Sequence, residues 1–213
     1  MRAMDSKREG RDFIARHGET VFNAAGRMQG RLLHTPLTRA GFAQAEEMGE
    51  ALRTLLGPRP ALTLWASPTG RALQTLAVIA EHLELDWHQA RTDERLGEID
   101  IGSWDGRYYH ELAAEHGAMF DAETGALRTA PDGEDYPAIA MRLSGWLADT
   151  ASDAGDRLVI MHGISSAVLR GLMTGRPVAA STGAPIAPAL PQGSVAMIER
   201  GIETVPHRGR GHA

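Results

Sequence analysis

The chain is cut into short apolar runs, each of which stops at a polar, glycine-bearing segment. DFIAR (12–16) gives way to HGET, ALTLWAS (61–67) to PTGR, and DRLVIM (156–161) to HGISS. Runs of five to seven residues suit buried strands. Stretches of helical period lie between them. Thr38 can cap a helix that continues to about Leu56, with Ala45, Met48 and Leu52 on one face and Gly57-Pro58 as its stop. Thr69 opens a second, with Leu73, Leu76, Ala77 and Ala80 on its buried side. Further helices are expected over about 105–117, within 134–151, and from Gly163 to about Met173. Residues 86–92 and 94–99 read as short strands, 118–133 as irregular and SVAMIE (194–199) as a closing strand. Residues 176–191, with four of the eleven prolines, read as an apolar loop. This alternation predicts an α/β fold: a three-layer α/β/α sandwich whose central sheet is mostly parallel and covered on both faces. Ligands of such open sheets bind beyond the carboxyl ends of the strands. Residues 17, 67 and 162 fall there.

A length of 213 residues suits a single domain, placed at 12–200, between a solvated tail at 1–11 and a basic, histidine-containing tail at 201–213. There is no cysteine, which excludes disulfides, thiol nucleophiles, zinc ribbons and iron–sulfur clusters. Twenty-two basic against 27 acidic side chains give a net charge of −5, which argues against nucleic acid as a partner. No apolar stretch follows MRAMDSKREGRD, so no secretory leader is expected. No run approaches the roughly 18 apolar residues of a membrane span. A cytoplasmic location is the expectation; monomer and homodimer are both open.

Four features at the strand ends carry chemistry. Arg16-His17 lies in a glycine-bearing loop with Asn23 after it, and Arg71 stands at the start of a helix, where an anion is already favoured. His162 ends the most apolar strand, and Glu98 lies in RLGEIDIGSWDG. Two arginines, two histidines and one carboxylate make a metal-free phosphoryl-transfer set. Guanidinium groups can spread over phosphoryl oxygens and stabilise transition-state charge. A neutral imidazole, held unprotonated by cationic neighbours, can attack phosphorus. A carboxylic acid can protonate the leaving oxygen and then take a proton from water.

The ordered motifs R-H-G-E-T-x-x-N (16–23), G-R-x-Q-G (26–30), P-L-T-x-x-G-x-x-Q-A (36–45), S-P-x-x-R-A-x-Q-T (67–75), L-x-E-x-x-x-G-x-W-x-G (96–106) and strand-H-G (157–163) cover nearly the whole chain. In them the chain resembles the histidine phosphatase superfamily, the phosphoglycerate-mutase-like proteins. The resemblance implies that His17 accepts the phosphoryl group, that Arg16, Arg71 and His162 form the phosphate pocket, and that Glu98 is proton donor and then base. It also implies supporting contacts from Asn23, Gln29 and the backbone at Gly163, and neither cofactor nor metal. The chain departs from the family pattern at His34, where Asp is frequent, and in a Gly30–Pro36 stretch one residue longer. Both are expected at the pocket rim, where they bear on substrate choice. Trp104 is expected to be a packing residue.

Two other patterns invite different chemistry. His110-Glu111 through His116 lacks H-E-x-x-H spacing, and its histidines fall on nearly opposite helix faces. Gly163-Ile164-Ser165-Ser166-Ala167 approaches a nucleophile elbow, but a serine esterase built on Ser165 would need His207 or His212 and would leave Arg16, His17, Arg71 and Glu98 without a role. A non-catalytic phosphate-ester-binding module would require one of the catalytic set to be missing. Between hydrolase and mutase, the segment after Glu98 decides. Residues 99–133 carry seven acidic and two basic side chains, which suits a bisphosphate poorly. The expectation is a phosphomonoesterase for small phosphorylated metabolites, with residues 99–135 as a partly apolar specificity or lid segment and a phosphoglycerate-mutase-type phosphotransferase as the alternative.

Overall fold

The computed structural model describes residues 8–122 and 124–211. Its strands are β1 (Asp12–Arg16), β2 (Leu62–Ala66), β3 (Arg91–Thr92), β4 (Asp156–Met161), β5 (Val195–Glu199) and β6 (Ile202–His207). They form one sheet in the order β3-β2-β4-β1-β5-β6, in which β1 to β4 run parallel and β5 is antiparallel to both its neighbours. The helices are α1 (Val21–Ala24), α2 (Arg39–Leu56), α3 (Gly70–His82), α4 (Tyr109–His116), α5 (Tyr136–Asp149) and α6 (Gly163–Met173). Side chains alternate across the strands, as a pleat requires. Phe13, Ala15, Leu64, Leu158 and Ile160 pack with α2 and α3, whereas Ile14, Trp65, Val159 and Met161 pack with α5 and α6. This is the three-layer α/β/α arrangement that the alternation of elements predicts. No helix among the described residues is long and apolar enough to cross a membrane.

Several boundaries differ from the sequence expectation. Only Arg91–Thr92 of the stretch 86–99 pairs as a strand; tight 3₁₀ turns at Trp87–Gln89 and Glu94–Leu96 flank it. Asp86 and Asp93 start those turns by accepting the N–H of His88 and Arg95, a local bond that competes with strand pairing. The helix expected from 105 starts at Tyr109, because Gly106 holds a φ of +75°. The C-terminal tail is corrected as well: residues 202–207 are β6, paired antiparallel with β5. Arg200 and Gly201, with φ of +51° and +80°, supply the two left-handed residues of a tight hairpin, and Pro206 is tolerated because β6 is an edge strand. Of the expected N-terminal tail, residues 1–7 lie outside the described residues, and residues 8–11 are docked. Arg8 donates to the carbonyls of Asp153 and Gly155, and Arg11 pairs with Asp156 at 2.6 Å.

The topology places the candidate site. β2, β4 and β1 are adjacent and parallel, with Arg16 opposite Met161 and Ala66 opposite Ile160. His17, Ser67 and His162 therefore leave the sheet side by side at its carboxyl edge.

Candidate active site

The loop after β1 is braced by the motif residues around it. Gly18 N–H donates to Thr75 Oγ1 (3.2 Å), Glu19 N–H to Gln44 Oε1 (2.7 Å) and Leu37 N–H to Gln74 Oε1 (3.0 Å). Gly41, in the first turn of α2, lies so close to this loop that a Cβ would stand 2.0 Å from the Glu19 carbonyl oxygen. The sequence motifs contain Gln44, Gln74, Thr75 and Gly41 without revealing that their work is to hold residues 17–37.

His17 is buried, and its Nδ1 lies 2.7 Å from the Gly18 carbonyl. Nδ1 must carry the proton to make that bond, so Nε2 keeps its lone pair. Burial, and then the Arg71 charge, hold the imidazole well below its ordinary value of 6.5; Arg16 adds to this and the Gly18 bond opposes it. His162, also fully buried, lies edge-on to His17 with ring centroids 5.1 Å apart. Its Nδ1 accepts from Arg71 Nε (3.2 Å), which puts its proton on Nε2, bonded to Ser67 Oγ at 2.8 Å. It too is held neutral, by burial, Arg71 and His17 in that order. The two imidazoles thus take opposite tautomers.

The guanidinium groups are held by neutral oxygens. Arg71 Nη1 donates to the Leu32 carbonyl (2.7 Å) and Thr35 Oγ1 (2.9 Å), and Nη2 to the Gly30 carbonyl (2.8 Å). With Nε on His162, one Nη2 hydrogen is left. Burial lowers Arg71 to about 10, with Glu98 and Asp105 opposing, so it stays cationic at neutral pH. Arg16 Nη1 donates to the Leu190 carbonyl (2.7 Å), while its Nε is buried without a partner. Orphaned buried donors of this kind are costly, and an anionic oxygen would satisfy this one.

Glu98 is fixed by three backbone N–H groups: Ile99 (3.0 Å) and Ser165 (2.9 Å) on Oε1, and Ile164 (3.2 Å) on Oε2. Arg142 of α5 supports the same loop, bonding the Glu98 carbonyl at 3.3 Å. The N–H groups of Ile164 and Ser165, at the start of α6, are thereby given to a carboxylate of the chain itself. Asn23 Oδ1 accepts from the Thr20 N–H (3.1 Å) and Gln29 Nε2 (3.2 Å), which leaves the Asn23 amide nitrogen free to face a ligand.

A cavity of about 390 Å³ joins these parts. Arg16, His17, Asn23, Gln29, Glu98 and Gly163 all line it. Arg71 and His162 do not; they stand behind His17, fully buried. Tyr109 and Phe120 of the segment expected to form an apolar lid, and Ile186 of the proline-rich loop, line the cavity as well; Leu127 and Tyr136, which also line it, are not singled out by the sequence. No local motif marks these two, because they reach the site only through packing. Residues 119–122 and 124–128 pair over it, through Asp121 N–H to Ala126 O (2.8 Å) and Arg128 N–H to Met119 O (2.7 Å), as a small hairpin.

The remaining sequence signals resolve as follows. His34 is exposed and outside the cavity lining, while the long Gly30–Pro36 stretch wraps Arg71. Trp104 is buried in the core. His116 lies against Trp104 and His110 against Tyr108, so the two histidines face different neighbours. Ser165 Oγ is buried with no hydrogen-bond partner, so no histidine activates it; His212 lies outside the described residues.

Residues 13–200 match the histidine phosphatase superfamily (branch 1). The protein named "Probable phosphoglycerate mutase GpmB" of Enterobacter sp. (strain 638) is 34% identical over 177 residues, which span 78% of this chain and 75% of that protein. Among solved structures, a mycobacterial glucosyl-3-phosphoglycerate phosphatase in complex with VO3 has a TM-score of 0.74 at 26% identity and covers 95% of this chain and 100% of the other. The α-ribazole phosphatase of Shigella flexneri shares the fold, with a TM-score of 0.68 at 20% identity, covering 95% and 100% of the two chains. This chain belongs to the histidine phosphatase superfamily, branch 1, and is an enzyme of that family.

Proposed function

We propose that the protein is a phosphomonoesterase that hydrolyses small phosphate esters through a phosphohistidine at His17 and needs no metal ion. One observation carries the reading. A neutral imidazole, its Nδ1–H fixed on the Gly18 carbonyl and its Nε2 lone pair free, lines a cavity beside a guanidinium with an unpartnered Nε–H. In the first step His17 Nε2 forms a bond to phosphorus as the bond to the ester oxygen breaks, and Glu98 as the acid protonates the departing alkoxide. In the second, the Glu98 carboxylate takes a proton from water, whose oxygen displaces the histidine and frees inorganic phosphate. Arg16 provides charge-assisted bonds to the phosphoryl oxygens. Arg71 and His162 act from behind His17. Carbonyl oxygens hold the Arg71 fork in place without neutralising it, so its charge keeps His17 unprotonated.

Relatives carry both phosphatase and mutase names. Hydrolysis is favoured by the cavity lining, where Arg16 and Arg27 are the cations among the described residues. A bisphosphate would find too few partners there. His17→Ala should reduce p-nitrophenyl phosphate turnover by 10³-fold or more, on the order expected when a covalent nucleophile is lost. Quenched wild-type enzyme should carry a phosphoryl group that survives base and is released by acid. Full turnover in His17→Ala, or an acid-stable adduct, would overturn the assignment. Sustained interconversion of phosphoglycerates primed by 2,3-bisphosphoglycerate, faster than phosphate release, would make it a mutase.

A further inference from the structure

The cavity beyond His17 has a character that the reaction itself does not require. Its outer wall is built from Tyr109, Phe120, Leu127, Tyr136, Ile164 and Ile186. Tyr109 and Phe120 stack on one another, with centroids 5.9 Å apart and planes 19° from parallel, and Phe120 remains 54% exposed. The hairpin that presents Phe120 and Leu127 is held down by the Tyr136 hydroxyl, which donates to the Leu127 carbonyl at 3.1 Å. An aromatic face kept half-open on a braced hairpin is a surface for a ligand to cover.

Charge on this wall is sparse. Besides Arg16 at the phosphoryl end, the cation lining the cavity is Arg27, and its guanidinium is partly engaged. Its Nε donates to the Gly106 carbonyl (2.6 Å), and its planar head lies 4.6 Å from the Phe22 ring centroid and 5.3 Å from that of Tyr108. A carboxylate or second phosphate on the leaving group would lose its water against apolar side chains, with Arg27 the one cation of this wall among the described residues to offset the loss. The neutral polar groups, Asn23, Gln29 and Thr124, could bond a hydroxyl or an amide at most.

We infer that the site selects monoesters of uncharged alcohols bearing a flat apolar ring, with the Tyr109–Phe120 pair and Leu127 as the surface that selects them. This rests on the phosphatase reading above. A cavity of about 390 Å³ has room for the phosphoryl group and a leaving group of one or two rings.

The test compares 2-naphthylmethyl phosphate and benzyl phosphate with glycerol 3-phosphate and 3-phosphoglycerate. All four leaving groups are alkyl alcohols, so differences report binding more than leaving-group chemistry. The ring esters should exceed 3-phosphoglycerate in kcat/KM by about 10–200-fold, the range an apolar pocket delivers, mostly through KM. Phe120→Ala and Leu127→Ser should each shrink the naphthylmethyl-to-glycerol ratio by about tenfold, and Phe120→Leu should retain part of it. Equal kcat/KM across the panel, or a preference for 3-phosphoglycerate, with turnover still dependent on His17, would overturn this inference and leave the phosphatase reading intact. An unchanged ratio in soluble, active Phe120→Ala and Leu127→Ser would overturn the assignment to this surface. Absence of His17-dependent turnover of any ester would overturn both.

Discussion

Gly163 carries no side chain because Arg16 lies against it: a Cβ there would meet the guanidinium carbon and nitrogens at 3.2–3.4 Å. Its φ is not among the positive ones, so the constraint is space and not backbone strain. Gly163→Ala should therefore separate activity from stability. Arg16 must shift by a few tenths of an ångström, and a misplaced clamp should raise KM for phosphate esters on the order of tenfold. The helix start gains a better helix former, so the thermal midpoint should hold or rise slightly. A steady-state assay beside a melting curve checks both; unchanged KM would mean that Arg16 does not hold the phosphoryl group. At this scale the sequence was most legible. Arg16, His17, Asn23, Gln29, Glu98 and Gly163 each carry their chemistry in their own side chain or spacing, and all reach one cavity. The burial of Arg71 and His162 behind His17 was not legible, because it depends on carbonyls at Gly30 and Leu32 whose direction no side-chain pattern records.

Among the elements, α2 and the loop after β1 share the closest backbone approach described above. Gly18 and Gly41 face each other: a Cβ on Gly18 would stand 2.2 Å from the Gly41 carbonyl oxygen, and one on Gly41 2.0 Å from that of Glu19. Neither clash can be relieved by rotating a side chain. Gly41→Ala must push α2 away from the loop, and should cost about 2–3 kcal/mol in urea unfolding while also lowering kcat, since the same loop aims His17. A variant with normal kcat would show that loop and helix move independently. The main helices and β1, β2, β4 and β5 were readable because their apolar periods are long and their stops are glycine, proline or a capping threonine. β6 was not: the short run IETVPH holds a proline and exposes most of its side chains, so its assignment depends on β5 as a partner. The 119–128 hairpin was hidden for the same reason, since its pairing is local and brief and its value lies in what it covers.

For the molecule as a whole, folding takes His17 and His162 out of water and holds both neutral near Arg71. The unfolded chain protonates each imidazole as pH falls through about 6.5, and the native state does not. The unfolded state then binds more protons, so this contribution to stability is intact above about 6.5 and is lost progressively as pH falls toward the depressed native values. Each histidine should remove about 1.4 kcal/mol per pH unit in that window. Urea unfolding at pH 5.5 should therefore show a loss of about 2–3 kcal/mol relative to pH 7.5, and His162→Gln should remove about half of the slope. Equal stability at the two pH values would mean that the imidazoles are not held neutral. The sheet order adds a consequence in time. β1 is the first strand to be synthesised, yet it lies between β4 and β5. Arg16 donates its backbone N–H to the Ser194 carbonyl and its Nη1 to the carbonyl of Leu190, 174 residues further along. A nascent chain consequently exposes the Arg-His-Gly-Glu signature early on the ribosome and cannot assemble it until almost the last strand emerges. Truncated translation products should keep the signature and be inert toward phosphate esters.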